Sequence, residues 1–334
     1  MLKFDEKDYM SGVEKTQETF KKVEQVTDRL IEEGINNIFF ISSGGSVAQM
    51  QPLHEILKKN SSYQSYIEVA GDVVLTGHKH LQKGSLVLMA SKTGDTKETV
   101  EAARFCKNKS ASILSFVKDT ESPLAKNSDY VIEMPSDYGE HTLLNYYVLI
   151  YRLMYKNDEY TNYNHLIEQF RLFTSNFIKT IEHFEIEASE IARNHHNDNY
   201  QIWIGSGTMW GTVYLFSMCI LEEMQWIRTK SVTSSEFFHG TLELVDENVP
   251  VFLVKNLDET KPLDDRVEKF INRYTNKGVV FDPAKYKLSE IDNKVHAIVT
   301  PIIMSALLKR LAFHFEKNTG HDLNYRRYYR KLDF

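Results

Sequence analysis

Cysteine is nearly absent from this 334-residue chain, with Cys106 and Cys219 the only two. Two thiols cannot make a disulfide framework, and neither stands in the Cys/His spacing that a zinc site requires, so a reducing, cytoplasmic setting without a bound metal is expected. A basic excess is missing as well. The 40 Lys and Arg residues face 46 Asp and Glu, a formal charge of −6 with both signs interspersed, which argues against a nucleic-acid partner. No run of about 18 uninterrupted apolar residues occurs, and Met1 to Tyr9 is polar and mixed in charge, so neither export nor membrane crossing is expected. The most apolar stretch, Val213 to Leu221, has the length of a buried core helix. What the chain does have is 42% hydrophobic and 26% charged residues, enough to build a proper core, and a length that suits about two domains at roughly 150 residues each.

Apolar positions Val13, Phe20, Val23, Val26, Leu30 and Ile31 among charges predict an amphipathic leading helix that ends near Gly34. Ile38 to Ile41 then runs into Ser42-Ser43-Gly44-Gly45-Ser46, the pattern of a buried strand entering a tight loop. Similar runs at Tyr66 to Val74, Leu86 to Ala90, Ser112 to Val117 and Tyr130 to Glu133 alternate with helix-like Gln51 to Lys58 and Thr96 to Cys106, which implies a parallel sheet covered on both faces. Leu166 to Ile191 carries apolar residues at gaps of three or four, as in a bridging helix. Ile202-Trp203-Ile204 then enters Gly205-Ser206-Gly207-Thr208, repeating the earlier theme about half a chain later. That repetition suggests a duplicated α/β unit, with Pro250 to Val254 and Gly278 to Phe281 as later strands of the second copy. The polar, aromatic end from His321 reads as a tail.

Two segments could hold an anion. Ser42 to Ser46 and Ser91-Lys92-Thr93-Gly94-Asp95-Thr96 each follow a strand and open a helix, so hydroxyls and helix N-terminal amides can meet at one sheet edge, an arrangement suited to phosphate. Ordinary helix capping explains either loop alone, and Asp95-x-x-Glu98 resembles a capping box. The second-half counterpart, Val251 to Asp258, lacks the hydroxyl cluster, so the copies are expected to differ in task. On a regular helix Glu223 would have Ile220, Cys219, Phe216, Trp226 and Ile227 as neighbours, a face where burial would push a carboxyl toward general-base duty unless it reaches solvent or an arginine such as Arg228. Glu222 is nearly as apolar in its surroundings, and periodicity does not choose between them. His239 beside Gly240 lies in a polar loop, and His195-His196 falls in a polar turn where solvation is expected.

Taken together these segments resemble the sugar isomerase (SIS) family over about residues 35 to 320, in particular its fructosamine- and fructoselysine-6-phosphate deglycases and, more distantly, the isomerase domains of glucosamine-6-phosphate synthases. The resemblance rests on the two Ser/Thr loops followed by Ser122-Pro123-Leu124-Ala125 before the strand at Asp129 to Ile132, and on a glutamate 16 residues before the histidine of Glu236-Phe237-Phe238-His239-Gly240. It also rests on the tail Arg326-Arg327-Tyr328-Tyr329. The family's His-Gly-Pro is His239-Gly240-Thr241 here, and Lys331 is a weak counterpart of the synthase's tail lysine. Neither a glutaminase domain nor a helix-turn-helix segment is expected.

The resemblance implies an α/β fold of two flavodoxin-like SIS domains, with a helical segment over 1–34, domain 1 over 35–160, a helical linker over 161–197, domain 2 over 198–320 and a tail over 321–334. It selects Glu223 over Glu222 as the base, pairs it with His239, and gives Ser46, Ser91, Thr93 and Thr96 the substrate phosphate. The implied activity is cofactor-free cleavage of a fructosamine 6-phosphate to glucose 6-phosphate and an amine, in a homodimer that shares its sites. A sugar-phosphate aldose–ketose isomerase and a non-catalytic sugar-phosphate-binding regulator are the alternatives.

Overall fold

The computed structural model describes residues 1–332, the side chains at 174 and 175 excepted; the last two positions of the expected tail lie outside the described residues. Contacts divide the chain into two compact units, Glu6–Arg171 and Met1–Asp5 with Leu172–Phe334. The division falls within the helix Tyr163–His195, the segment expected as a linker.

In the first unit, strands β1 (Asn37–Ser42), β2 (Gln64–Val69), β3 (Ser85–Ser91), β4 (Ser112–Val117) and β5 (Tyr130–Glu133) form a parallel sheet in the order β2-β1-β3-β4-β5. Every residue of β1 and β3 is buried, which is why both read as continuous apolar runs rather than alternating ones. Phe39, Ile41, Val87, Met89 and Ile113 pack with Val100, Ala103 and Cys106 of the helix Lys97–Asn108. The leading helix, Glu6–Glu33, buries Tyr9, Val13, Thr16, Phe20, Val23, Thr27 and Leu30. These positions recur every three or four residues and form one stripe, packed on the helix Gly139–Lys156. Asp28 locks that packing by accepting from Arg152 Nε and Nη2 at 2.8 and 2.7 Å, and the guanidinium holds the Asp28 carboxyl below its ordinary range. The segment Tyr66 to Val74 is not one strand. The chain leaves the half-buried β2 and turns into the short helix Ala70–Thr76, whose Ala70 and Val73 enter the core on one face.

The second unit repeats the plan with one strand fewer. Strands β6 (Tyr200–Ile204), β7 (Arg228–Val232), β8 (Val251–Val254) and β9 (Gly278–Phe281) lie parallel in the order β7-β6-β8-β9. Ile202, Ile204, Val251 and Leu253 meet Phe237, Val267 and Ile271 in one cluster, while Trp203 stacks on Phe252 with ring centres 4.3 Å apart. Strand β7 was not foreseen, because an edge strand carrying exposed Arg228 and Lys230 has no apolar run to betray it. The helix Asn293–Thr319 was not foreseen either. By length and composition it could cross a membrane, yet it is mostly buried inside the protein. It begins at the Asp292 cap and ends at Gly320, whose φ of +67° is left-handed.

Candidate active site

In an open parallel sheet with this strand order, ligands meet the carboxyl ends of the strands where the order reverses, between β1 and β3. The loops after those two strands are the expected hydroxyl loops. Ser42 Oγ ties them together, donating to the Ala90 carbonyl and accepting from the Ala90 amide, both at 2.9 Å. Ser43 and Thr96 occupy the capping positions of the helices Gly44–Asn60 and Lys97–Asn108, and neither hydroxyl caps its helix. No capping side chain covers either N-terminus, a condition in which helix N-termini can bind anions, although the Ser46 amide already turns to the Ser43 carbonyl at 3.3 Å. Ser91 is buried; its Oγ accepts from the Gly94 amide at 3.0 Å and lies 3.2 Å from Thr96 Oγ1. Thr93 turns its hydroxyl to Asp95. Ser46 is half-buried in the first turn of its helix. The Ser122 loop closes this edge: Leu124 donates to the Gly94 carbonyl at 2.9 Å, and a β-carbon on Gly94 would fall 2.1 Å from Ser122 Oγ.

In the second unit the chain after Tyr214 widens into a π-helical turn, Leu215–Glu222, followed by one short α turn over Glu223–Gln225 and a left-handed Trp226 at φ 58°. Such turns move side chains off the regular helical register, so Trp226 and Ile227 do not sit where α-helical spacing puts them. Glu223 is correspondingly not an isolated carboxylate on an apolar face. Its side chain is 26% exposed and accepts from Arg326 Nε at 2.8 Å, so its arginine comes from the tail rather than from Arg228. Glu222 is exposed and accepts from Thr229 Oγ1 at 2.6 Å. Both carboxylates, with Trp226, Arg228, Arg326 and Arg327 among others, line a cleft of about 660 Å³.

His239 follows the short helix Ser234–Phe237 and is exposed, its amide bonded to the Glu236 carbonyl at 2.9 Å. Among the described residues it does not line the cleft that holds Glu223. Its loop hangs from a carboxylate that the sequence reading passed over: buried Asp264 accepts from Ser234 Oγ at 2.5 Å and from the Asn256 amide at 2.8 Å. Burial pushes the Asp264 carboxyl up to about 6. His195 is a correction. It is buried rather than solvated, 2.7 Å from Asp198, which also receives Lys277 at 2.8 Å.

The SIS domain model matches residues 33–154. Over 321 residues the chain is 30% identical to fructosamine deglycase FrlB of Bacillus subtilis, covering 94% of this chain and 97% of that one. The chain belongs to the SIS family. It is also 22% identical to fructoselysine 6-phosphate deglycase of Escherichia coli, over 92% of this chain and 89% of that protein. A crystal structure of a candidate phosphosugar isomerase from Bacillus subtilis superposes with a TM-score of 0.88 at 29% identity, covering 94% of this chain and 97% of the other. The α/β SIS fold, with two parallel sheets and helices at both ends, is therefore established for this chain. Within the SIS frame, the sequence pattern had no means of pairing Arg326 with Glu223. Its only trace is the Arg-Arg-Tyr-Tyr of the tail.

Proposed function

We propose that this SIS chain is a fructosamine-6-phosphate deglycase. The full-length match to a protein named fructosamine deglycase carries the reading, and the two sets of side chains described above support it. Ser46, Ser91, Thr93 and Thr96, with the uncapped amides beside them, hold the 6-phosphate and so orient the distant carbons. His239 moves a proton during ring opening and then faces the C2 oxygen. Glu223 removes a proton from C1 of the open-chain ketosamine, giving the enaminol, and C2 is then protonated to leave an imine at C1. Water adds to that imine, the amine departs, and glucose 6-phosphate remains. The exposure of His239 supports a homodimer in which one copy's histidine completes the other's site.

An isomerase reading draws on the structural neighbour named as a candidate phosphosugar isomerase. Products separate the two, since only deglycation releases a free amine. Incubated with a panel of 6-phosphorylated fructosamines, the wild type is expected to release glucose 6-phosphate. Glu223→Gln is expected to lower kcat about 100-fold or more while still binding the sugar phosphate. Near wild-type turnover by that variant would sink the assignment.

A further inference from the structure

The cleft around Glu223 carries more positive charge than its carboxylates need. Three guanidiniums, those of Arg228, Arg326 and Arg327, line it with the two carboxylates of Glu222 and Glu223. Arg327 rests on the face of Trp226 at 4.3 Å, and neither Arg327 nor Arg228 makes an ion pair among the described residues. Arg326 is firmly aimed. Its Nη1 donates to the Leu323 and Tyr325 carbonyls at 2.7 and 2.8 Å, which fixes the plane of the guanidinium. Gln225 anchors the start of the tail by donating to the His321 carbonyl at 2.6 Å and accepting from Thr319 at 2.9 Å. The opposite edge of Arg326 presents Nε and Nη2 side by side. Glu223 occupies Nε alone, and Nη2 donates to nothing among the described residues.

A guanidinium edge with two parallel N–H donors is matched by a carboxylate that accepts from both. Glu223 uses one. We propose that Arg326 is the specificity-determining receptor for a carboxylate on the amine part of the substrate, and that its transfer from Glu223 to this carboxylate frees the base. The inference rests on the deglycase reading and deepens it. In the empty protein Arg326 neutralises Glu223. A substrate carboxylate that takes both donors of the fork releases the Glu223 carboxylate beside the carbon it must deprotonate. A substrate without the carboxylate leaves the pair closed.

The test compares the fructose 6-phosphate adduct of lysine with that of butylamine, in wild type, Arg326→Ala and Arg326→Lys. A carboxylate held by a charged fork is expected to give the wild type an advantage of about tenfold or more for the lysine adduct in both kcat/KM and calorimetric Kd. Arg326→Ala should collapse that ratio toward one. Arg326→Lys, with the charge but no fork, should restore only part of it. A ratio that survives in Arg326→Ala, or that is already near one in the wild type, overturns the proposal. If no fructosamine phosphate is turned over at all, the deglycase reading fails by itself, and the Kd ratios still decide whether Arg326 receives the carboxylate.

Discussion

The first loop of each unit carries a glycine at nearly the same positive φ, Gly44 at +55° and Gly207 at +57°, and the two differ in what lies in front of them. A β-carbon on Gly44 would meet nothing within 4 Å, whereas one on Gly207 would fall 2.4 Å from Asp258 Oδ2 and 2.8 Å from Thr260 Oγ1. In the first unit the crevice between β1 and β3 is rimmed by hydroxyls and uncapped amides. In the second the crevice between β6 and β8 already holds an anion of its own: the Asp258 carboxylate accepts from the Thr208 amide and hydroxyl at 3.1 Å each, from Asn256 Nδ2 at 2.8 Å, and from the Thr260 amide and hydroxyl at 2.8 and 2.5 Å. One fold thus either leaves this crevice open, as the proposed phosphate site requires, or staples it shut with an internal carboxylate, which here is one side chain of the loop after the third strand of the sheet in chain order.

Removing that staple should have the largest effect on the second unit. Asp258→Ala removes the acceptor of the Thr208 and Thr260 amides and hydroxyls, while Asn256 keeps the Ser206 carbonyl and the Thr208 hydroxyl, and should destabilise the second unit by about 4 kcal/mol, read as a lower Tm in calorimetry. Affinity for a sugar phosphate should hold. If the emptied crevice then behaves like its counterpart, added inorganic phosphate will raise the variant's Tm more than the wild type's. Equal gains in the two proteins would mean that the second crevice is closed by its shape as well as by Asp258.

The sheets and the duplication were legible because both are written in short-range patterns: buried apolar strands, each running into small residues, with the second glycine loop echoing the first. The parts that escaped depend on long-range partners. Strand β7 is polar because it is an edge. Glu223 looked isolated because regular helical spacing was assumed through what is a π-helical turn, and its partner Arg326 stands 103 residues further on. The Val251 to Asp258 segment showed that hydroxyls were missing. It did not show that Asp258 fills the crevice, since two of its donors, the Thr208 amide and hydroxyl, come from 50 residues away.

The second crevice also differs from the first in having a buried carboxylate beside it, Asp264, which should make the second unit's stability depend on pH. Its carboxyl lies at about 6 in the folded chain against an ordinary 3.8, chiefly because burial penalises the charged form. A raised acid pKa means that the folded state holds the proton more tightly than the unfolded one. The stability from this group is therefore present at pH 4 and is lost as pH rises through about 6, a span worth at most about 3 kcal/mol. Asp264→Asn should remove that slope, so the difference in Tm between variant and wild type should change between pH 4.5 and 7. A constant difference across that range would show that the Asp264 proton is not retained in the folded protein.

The smallest effect tests the open crevice itself. Ser91→Ala removes an acceptor for the Gly94 amide and the neighbour of the Thr96 hydroxyl, a loss of about 1 kcal/mol in stability. Its larger consequence is in binding, because Ser91 both shapes the loop and is one of the hydroxyls proposed to meet the phosphate. One such hydrogen bond to a charged group corresponds to about tenfold in Kd, so titration with glucose 6-phosphate should show that weakening. Ser206→Ala serves as the control from the closed crevice: its Oγ accepts from the Ser234 amide at 2.8 Å, an equally internal bond, and its loss should cost similar stability with no change in sugar-phosphate affinity. If the two serines weakened binding equally, the division between a receiving crevice and a stapled one would be wrong, since the ligand would then depend on both.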